Sequence, residues 1–333
     1  MIYSIQNMEL SLSIEADTFK ELLNNAKENA KMSYCKVRST EYGYFDEALL
    51  DKGVKVEYHN GNKRKVKLIV VPDIVLENDD PVDSWKPSNK NISMLLENLD
   101  ELIKRYFEYE YELKDFKLSQ ISFAGSTKFE STEEIKAKTK VAAYIRMLNS
   151  IGYVKNYSPK FQKSNKQFDK ERSFDLVGNS NGIELSIFDK KAVTGMKGTK
   201  GTLCVVVRLT SQDAIRGCTD YDDTVKRIAD LAANSMNICA KVILKIIPFG
   251  DNVKHLRAKK IIEEKVADKT MKKKMLRLVE LIPIKKSLLL AQKQLNDRNI
   301  DEIMTKFASI GLSPVCISKR QEIEYLENLY AYL

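Results

Sequence analysis

Histidine and cysteine are scarce in this 333-residue chain, and their placement excludes several chemistries. The two histidines, His59 and His255, lie far apart in the sequence, so they form no local pair of metal ligands and give a Ser-His-Asp triad little to draw on. The five cysteines are odd in number and never spaced as Cys-x-x-Cys: Cys35, Cys204, Cys218, Cys239 and Cys316. A disulfide framework and a structural zinc site are therefore not expected.

Long apolar runs are absent as well. No stretch approaches the roughly 18 consecutive apolar residues of a membrane-spanning helix. Residues Met1 to Ser13 lack the basic start, apolar middle and cleavage site of a secretion signal, which predicts a cytoplasmic protein. With 13 Gly, 7 Pro and 43% hydrophobic residues, the composition is typical of a soluble globular protein of two or three domains.

Positive charge is abundant and unevenly distributed. The chain has 55 Lys and Arg against 46 Asp and Glu, a net charge of +9 that favours a polyanionic partner. Between Asp251 and Leu290 the cations outnumber the acids by more than two to one. This segment is therefore the first candidate for a binding surface.

The first part of the chain alternates strand and helix patterns. Residues 8–14 alternate as a half-buried strand does, and 16–30 place apolar residues on one helical face. Residues 54–59 and 65–71 flank Asn60-Gly61-Asn62, which predicts a β-hairpin. Residues 92–107 predict an amphipathic helix with capping residues at Asn89 to Asn91, and 116–123 predict a strand.

The order then repeats loosely and ends in helices. The patterns predict a helix over 132–150 with a capping box at Ser131 to Glu134, strands over 183–188 and 203–209, and a long helix over 224–246. We therefore expect an α+β protein whose α/β portion contains one large unit or two related units, followed by an all-helical C-terminal domain. The expected segments are 1–130, 131–212 and 213–333.

The basic helical segment supplies most of the candidate nucleic-acid-binding residues. A helix that buries Met271, Met275, Leu278 and Ile282 leaves its cations together in solvent, and acids do not balance them at i,i+4 spacing. A merely solvated helix face is the alternative. Residues 155–170, basic with aromatic residues interleaved, could hold a single strand or form a surface loop. The predicted binding residues are Lys259, Lys260, Lys272, Lys273, Lys274, Arg277, Arg208, Lys155 and Lys163.

Three short runs carry a resemblance to a known family. Asn179 to Lys190 (NSNGIELSIFDK), Gly201 to Leu209 (GTLCVVVRL) and Ala214-Ile-Arg216 resemble the core of the replication initiation factor family. This family covers rolling-circle initiators of small plasmids and related mobile elements. The resemblance implies an antiparallel-sheet initiator-like portion and the nicking of one DNA strand by a tyrosine, assisted by a divalent metal on acidic residues.

The resemblance also implies where such a site would lie. Asp189 and Glu184 are the candidate ligands for Mg²⁺ or Mn²⁺, and Lys190 would steady phosphate charge. Tyr157 is the candidate nucleophile among the tyrosines nearest the site in sequence, which are Tyr144, Tyr153, Tyr157 and Tyr221, and none of them falls in an aligned motif. A phenol with a pKa of about 10 needs such help to attack a phosphodiester. The sequence departs from the family at Gln120-Ile-Ser122 and Cys204-Val-Val206, where expected charged residues are missing. Retention of nicking activity therefore stays open.

The sequence thus predicts a DNA-binding protein of a plasmid or mobile element that resembles a rolling-circle replication initiator. Its expected partner is DNA, as a double-stranded origin or a single strand, without a membrane, and a homodimer is a further expectation. The alternatives are a DNA-binding regulator and a non-catalytic interaction or structural protein that dimerises through the helix over 224–246.

Overall fold

The computed structural model describes residues 1–32, 36–40, 43–78, 85–130, 137–160 and 172–332. The strands are β1 (Ser4–Ser13), β2 (Val37–Thr40), β3 (Gly43–Asp46), β4 (Val54–Asn60), β5 (Arg64–Val70), β6 (Lys117–Lys128), β7 (Tyr157–Pro159), β8 (Ser173–Gly178), β9 (Ile183–Asp189), β10 (Thr202–Leu209), β11 (Asn252–Val253) and β12 (Tyr325–Leu326). The helices are α1 (Ala16–Met32), α2 (Pro72–Val75), α3 (Asn89–Tyr106), α4 (Ala137–Asn149), α5 (Lys190–Thr194), α6 (Gln212–Arg216), α7 (Thr224–Ala233), α8 (Ser235–Ile246), α9 (His255–Lys265), α10 (Lys269–Lys285), α11 (Leu288–Leu295) and α12 (Ile300–Ser309).

The chain folds into two compact units that are each discontinuous in sequence. The N-terminal unit contains Ile2–Ala124 and Arg208–Ile238, and the C-terminal unit contains Met1, Gly125–Val207 and Cys239–Leu333. Strands β6 and β10 and helix α8 therefore pass from one unit into the other. The three contiguous segments expected from the sequence stay a prediction, because compactness does not show which segment folds independently.

The N-terminal unit is built on antiparallel strands in the order β2-β3-β4-β5-β1-β6. The hairpin at Asn60-Gly61 is confirmed, since β4 and β5 pair with Asn60 opposite Arg64. Alternation buries one face of these strands and leaves polar side chains on the other. Helices α1 and α3 cover the buried face, where the ring of Phe19 meets that of Tyr58 edge-on at 6.0 Å.

Helix α3 shows how local sequence sets an element. It begins at Asn89, and the Oγ of Ser88 accepts a hydrogen bond from the backbone N–H of Asn91. The cap is therefore one residue before the Asn-Lys-Asn run expected to supply it. Leu95 and Leu99 are fully buried, as the helical spacing predicts.

The C-terminal unit combines strands in the order β10-β9-β8-β7 with helices α4 and α9 to α12. The strands predicted over 183–188 and 203–209 are confirmed as β9 and β10. The capping box predicted at residues 131–134 lies outside the described residues, as does the basic segment over 161–171. Taken together, the helices and the antiparallel strands fit the expected α+β class.

The C-terminal third differs from the expectation in two ways. The long helix predicted over 224–246 is wrong, because the chain leaves the helical conformation at Asn234, between α7 and α8. The Asn234 side-chain amide donates to the backbone oxygen of Asp230 at 3.1 Å and to its carboxylate at 2.8 Å, and the backbone N–H of Asn234 donates to the same backbone oxygen at 2.9 Å. The pair β11 and β12 also follows residue 213, so an all-helical domain is not confirmed.

Membrane insertion finds no support among the helices. Within the described ranges, none of them is both long enough and apolar enough to cross a bilayer.

Candidate nucleic-acid interface

The basic segment forms two helices joined by a short turn. Helix α9 ends at Lys265, residues 266–268 turn, and α10 begins at Lys269, with the Asp268 carboxylate accepting a hydrogen bond from the N–H of Met271. The helix α10 buries one side through Met275, Leu278 and Ile282, as its spacing predicts. Its cations are therefore directed away from the core.

Several of these cations are neutralised by acids of the same helix or of neighbouring elements. Lys259 on α9 lies 2.6 Å from the Glu280 carboxylate on α10, and Arg277 approaches the same carboxylate at 3.6 Å. Lys274 lies 2.7 Å from the carboxylate of Asp297, beyond the end of α11. Hydrogen bonds from Lys259 and Lys274 lower the pKa values of Glu280 and Asp297, which keeps both acids charged.

Three exposed lysines around the turn lack such neutralisation. We call Lys265, Lys269 and Lys273 the turn lysines; all three are exposed. Within the part of the chain that the structure describes, no acidic side chain lies at ion-pair distance from any of them. The neighbouring Lys272 donates to the backbone oxygen of Glu263 at 2.9 Å, and Lys260 lies 3.9 Å from Glu264. The turn lysines are thus exposed cations without an acidic partner among the described residues, as are Lys285 and Lys286 at the end of α10.

The two candidate metal ligands on β9 do not converge. Asp189 shares the buried face of the strand with Leu185 and Ile187, and its carboxylate caps α5 by accepting from the N–H of Ala192 at 3.1 Å. Glu184 lies on the opposite face and pairs with Lys160 at 2.9 Å.

The described residues also offer no alternative group of metal ligands. Among them, no three His, Cys, Asp or Glu side chains form a group suited to a metal ion. The residues therefore do not fit the Mg²⁺ or Mn²⁺ that the resemblance implies, and metal binding stays a prediction.

The candidate nucleophile is enclosed. Tyr157 on β7 is only 4% exposed, and burial raises the pKa of its phenol, with a hydrogen bond to Asn181 acting in the opposite direction. Attack on a phosphodiester would require this side chain to leave its site. Tyr153 and Tyr221 are more accessible, at 37% and 49% exposure.

The remaining predicted residues lie on different elements. Lys155 is exposed before β7, Lys190 is half-buried at the start of α5, and Arg208 is half-buried near the end of β10, in the N-terminal unit. Lys163 lies outside the described residues.

A second basic surface went unrecognised in the sequence. The polar face of the N-terminal sheet forms an open groove lined by Lys63, Lys65 and Lys67 together with Glu9 and other polar residues. Lys67 pairs with Glu9 at 2.5 Å, whereas Lys63 and Lys65 are exposed. Lysine at the alternate positions 63, 65 and 67 is the signal that could have indicated it, because alternation in a strand places such residues on one face.

Comparison with known proteins shows a likeness to solved structures but not to known sequences. No protein-family model matches the chain, and no curated protein matches it. Among solved structures, it is similar to a rolling circle replication initiator protein from Geobacillus stearothermophilus, at 11% identity and a TM-score of 0.36. The similarity covers 82% of this chain and 90% of that chain. A TM-score of this size carries no functional argument.

Proposed function

We propose that this chain is a DNA-binding protein with a replication-initiator-like role in a plasmid or mobile element, and that the turn lysines contact DNA phosphates. The observation that carries the proposal is the exposure of Lys265, Lys269 and Lys273 without acidic partners among the described residues. Free ammonium groups on an exposed turn bind phosphates and release condensed counterions, which is the main source of sequence-independent affinity for DNA. The net charge of +9 and the resemblance of residues 179–216 to replication initiation factors support the same conclusion.

Strand nicking is a more specific activity than DNA binding, and the positions of the predicted site residues support binding better than cleavage. A nicking site needs an accessible nucleophile and acids that can share an ion. Tyr157 is buried, and Asp189 and Glu184 occupy opposite faces of β9. We therefore include DNA binding in the proposal and leave nicking by Tyr157, with a metal on Asp189, as a prediction for direct assay.

The interaction-protein alternative loses its main support. It relied on one long helix over 224–246 as a dimer interface, and the break at Asn234 divides that helix into two of ten and twelve residues. Light scattering would still detect a dimer of twice 38.1 kDa. A dimer without any affinity for DNA would favour the alternative.

The test is fluorescence anisotropy with single-stranded and duplex DNA of the same sequence, over a range of salt concentrations. The variant is K265Q/K269Q/K273Q, and the matched control is K36Q/K52Q/K90Q, which removes three exposed lysines from the N-terminal unit. If all three turn lysines contact phosphates, the slope of log K against log salt becomes shallower by about 2.7 in the variant. Between roughly 50 and 200 mM salt, the loss of affinity is then about 40-fold smaller for the variant than for the wild type.

The control separates a local interface from net charge. Both variants lose the same charge, so an equal loss of affinity in both would contradict a specific role for the turn lysines. Denaturing gels of the same mixtures with Mn²⁺ test nicking: a covalent adduct that Y157F abolishes would support that residue, and intact DNA would leave a binding protein.

A further inference from the structure

The N-terminal unit contains a partly open cavity that the proposed function does not use. It has a volume of about 250 Å³ and lies between α1, the end of α3 and strands β3 and β4. This position is on the helix-covered side of the sheet, opposite the polar groove. The cavity wall combines carboxylates, two asparagines and tyrosine hydroxyls with apolar side chains.

A directed hydrogen-bond chain forms the base of the cavity. The hydroxyl of Tyr106 donates to Oδ2 of Asp46 at 2.7 Å, and the hydroxyls of Tyr58 and Tyr106 lie 2.9 Å apart. Because the proton of Tyr106 is committed to Asp46, Tyr58 must donate to Tyr106. The oxygen of Tyr58 then keeps its acceptor lone pairs, although this side chain is only 1% exposed and Asp46 only 2%.

This base therefore presents acceptors and no spare proton. Oδ1 of Asp46 already accepts from the N–H of Ala48 at 2.9 Å, which fixes the carboxylate in place. Burial raises the pKa values of both tyrosines, so their hydroxyls keep their protons and the direction of the chain is stable. A ligand that fills this end of the cavity must bring its own donor.

The rim of the cavity is acidic. Glu21, Glu108 and Glu110 line it, and the one cation among the lining residues is Arg105, whose Nε already donates to Glu101 at 2.6 Å. The C-terminus of α3 also ends here, and its carbonyl groups add a partial negative charge. The electrostatic environment thus favours a cation and disfavours a phosphate or carboxylate.

The rest of the wall suits an alkyl chain. Leu22, Ala26 and Phe107 provide apolar surface between the base and the rim. Asn25 and Asn29 add amide groups that accept or donate. Within the described ranges, no group of three metal-ligating side chains exists, which distinguishes this cavity from a centre for a bare divalent ion.

We propose that this cavity binds an organic cation that carries a primary ammonium group on a short alkyl chain. The ammonium donates to Tyr58 and Asp46 at the base, and the chain lies against Leu22 and Phe107. The carboxylates of the rim attract the cation to the cavity and stabilise its charge over a longer distance. A free alkyl diamine and the side chain of a lysine from another protein share this chemistry. The proposal does not depend on DNA binding.

The test is isothermal titration calorimetry on the full chain with 1,4-diaminobutane, the uncharged analogue 1,4-butanediol, and a lysine flanked by acetyl and amide caps. Saturable binding of either ammonium compound, with none of the diol, is the expected result. Binding of diaminobutane alone identifies a free diamine as the ligand, and preferential binding of the capped lysine identifies a protein side chain. Absence of binding by both ammonium compounds overturns the proposal.

Variants place the binding in the cavity. Y58F removes the acceptor oxygen at the base, and E108Q removes an exposed carboxylate at the rim, so each should weaken binding at least tenfold. E112Q, outside the cavity, is the matched control for E108Q and should leave binding unchanged. Because buried Tyr58 supports the fold, circular dichroism checks Y58F; undiminished binding in folded Y58F and in E108Q would refute the assignment, whether or not the chain binds DNA.

Discussion

The ion pairs across α9 and α10 make a counterintuitive prediction: removing Glu280 should strengthen DNA binding. Glu280 holds Lys259 at 2.6 Å and Arg277 at 3.6 Å, so two cations of the basic surface are neutralised by one carboxylate. The substitution E280Q keeps the size of the side chain and removes its charge. Lys259 and Arg277 then become available to phosphates.

The size of the effect follows from counterion release. Each added phosphate contact steepens the dependence of log K on log salt by about 0.9, so two contacts add about 1.8. Over a fourfold change, from about 50 to 200 mM salt, the affinity of E280Q should fall up to about 12-fold more than that of the wild type. At low salt E280Q should bind more tightly than the wild type.

The assay is fluorescence anisotropy with a duplex over this salt range. E112Q is the matched control, because Glu112 likewise bridges two cations, Lys104 and Lys114, but lies in the N-terminal unit. Thermal melting checks that both variants stay folded, since exposed ion pairs contribute little to stability. Unchanged or weaker binding by E280Q, or equal strengthening by E112Q, would refute the assignment of α9 and α10 as the DNA-binding surface.

Two further predictions concern stability. Gly152 and Gly195 both have left-handed φ values, 58° and 71°. A Cβ at Gly152 would lie 2.4 Å from the backbone oxygen of Lys286, whereas a Cβ at Gly195 would meet no atom within 4 Å. Urea unfolding should therefore show a loss of about 1 kcal/mol for G195A and about 2 kcal/mol or more for G152A; equal losses would show that the contact with Lys286 relaxes freely. Burial and the nearby cations Lys259 and Lys319 lower the pKa of His255, whereas Glu280 acts in the opposite direction. Below the ordinary histidine pKa of 6.5, the unfolded chain therefore binds a proton at His255 more readily than the folded chain does. Stability should fall as pH decreases below about 6.5, and H255Q should lose less than the wild type in melting curves at pH 7.5 and 5.5; identical pH profiles would exclude His255 as a contributor.

The parts of the fold that the sequence predicts well are governed by near neighbours. The hairpin of β4 and β5 follows from an Asn-Gly turn between two alternating runs. The buried side of α10 follows from apolar residues at helical spacing, and Met275, Leu278 and Ile282 are buried accordingly. In each case the determining interactions act within a few residues along the chain.

The break at Asn234 marks where periodicity misleads. Apolar spacing continues through residues 224–246, so the pattern predicts one helix. The helical conformation is nevertheless interrupted at Asn234, whose side-chain amide bonds to the backbone oxygen and carboxylate of Asp230. Asparagine is a weak helix former because its side chain bonds to nearby backbone groups, but the outcome at one position depends on the packing around it.

The cations show most directly which properties the sequence determines and which the tertiary structure decides. The sequence by itself determined that the chain is basic, that its cations concentrate between residues 251 and 290, and that one side of α10 is apolar. Only the tertiary structure decided which of those cations stay available, because Glu280 and Asp297 reach Lys259 and Lys274 across helix boundaries. Ion pairing requires atoms within a few ångströms in space, whatever their separation along the chain.

The cavity beneath α1 and α3 is likewise a product of the tertiary structure. Asp46, Tyr58 and Tyr106 come from β3, β4 and α3, and no local pattern of residues connects them. Packing of the helices on the sheet brings the three together and removes them from water, which turns ordinary side chains into a directed chain of hydrogen bonds. Local sequence thus specified most of the helices and strands, whereas the packing of distant segments decided which cations are paired and created the cavity proposed to bind an organic cation.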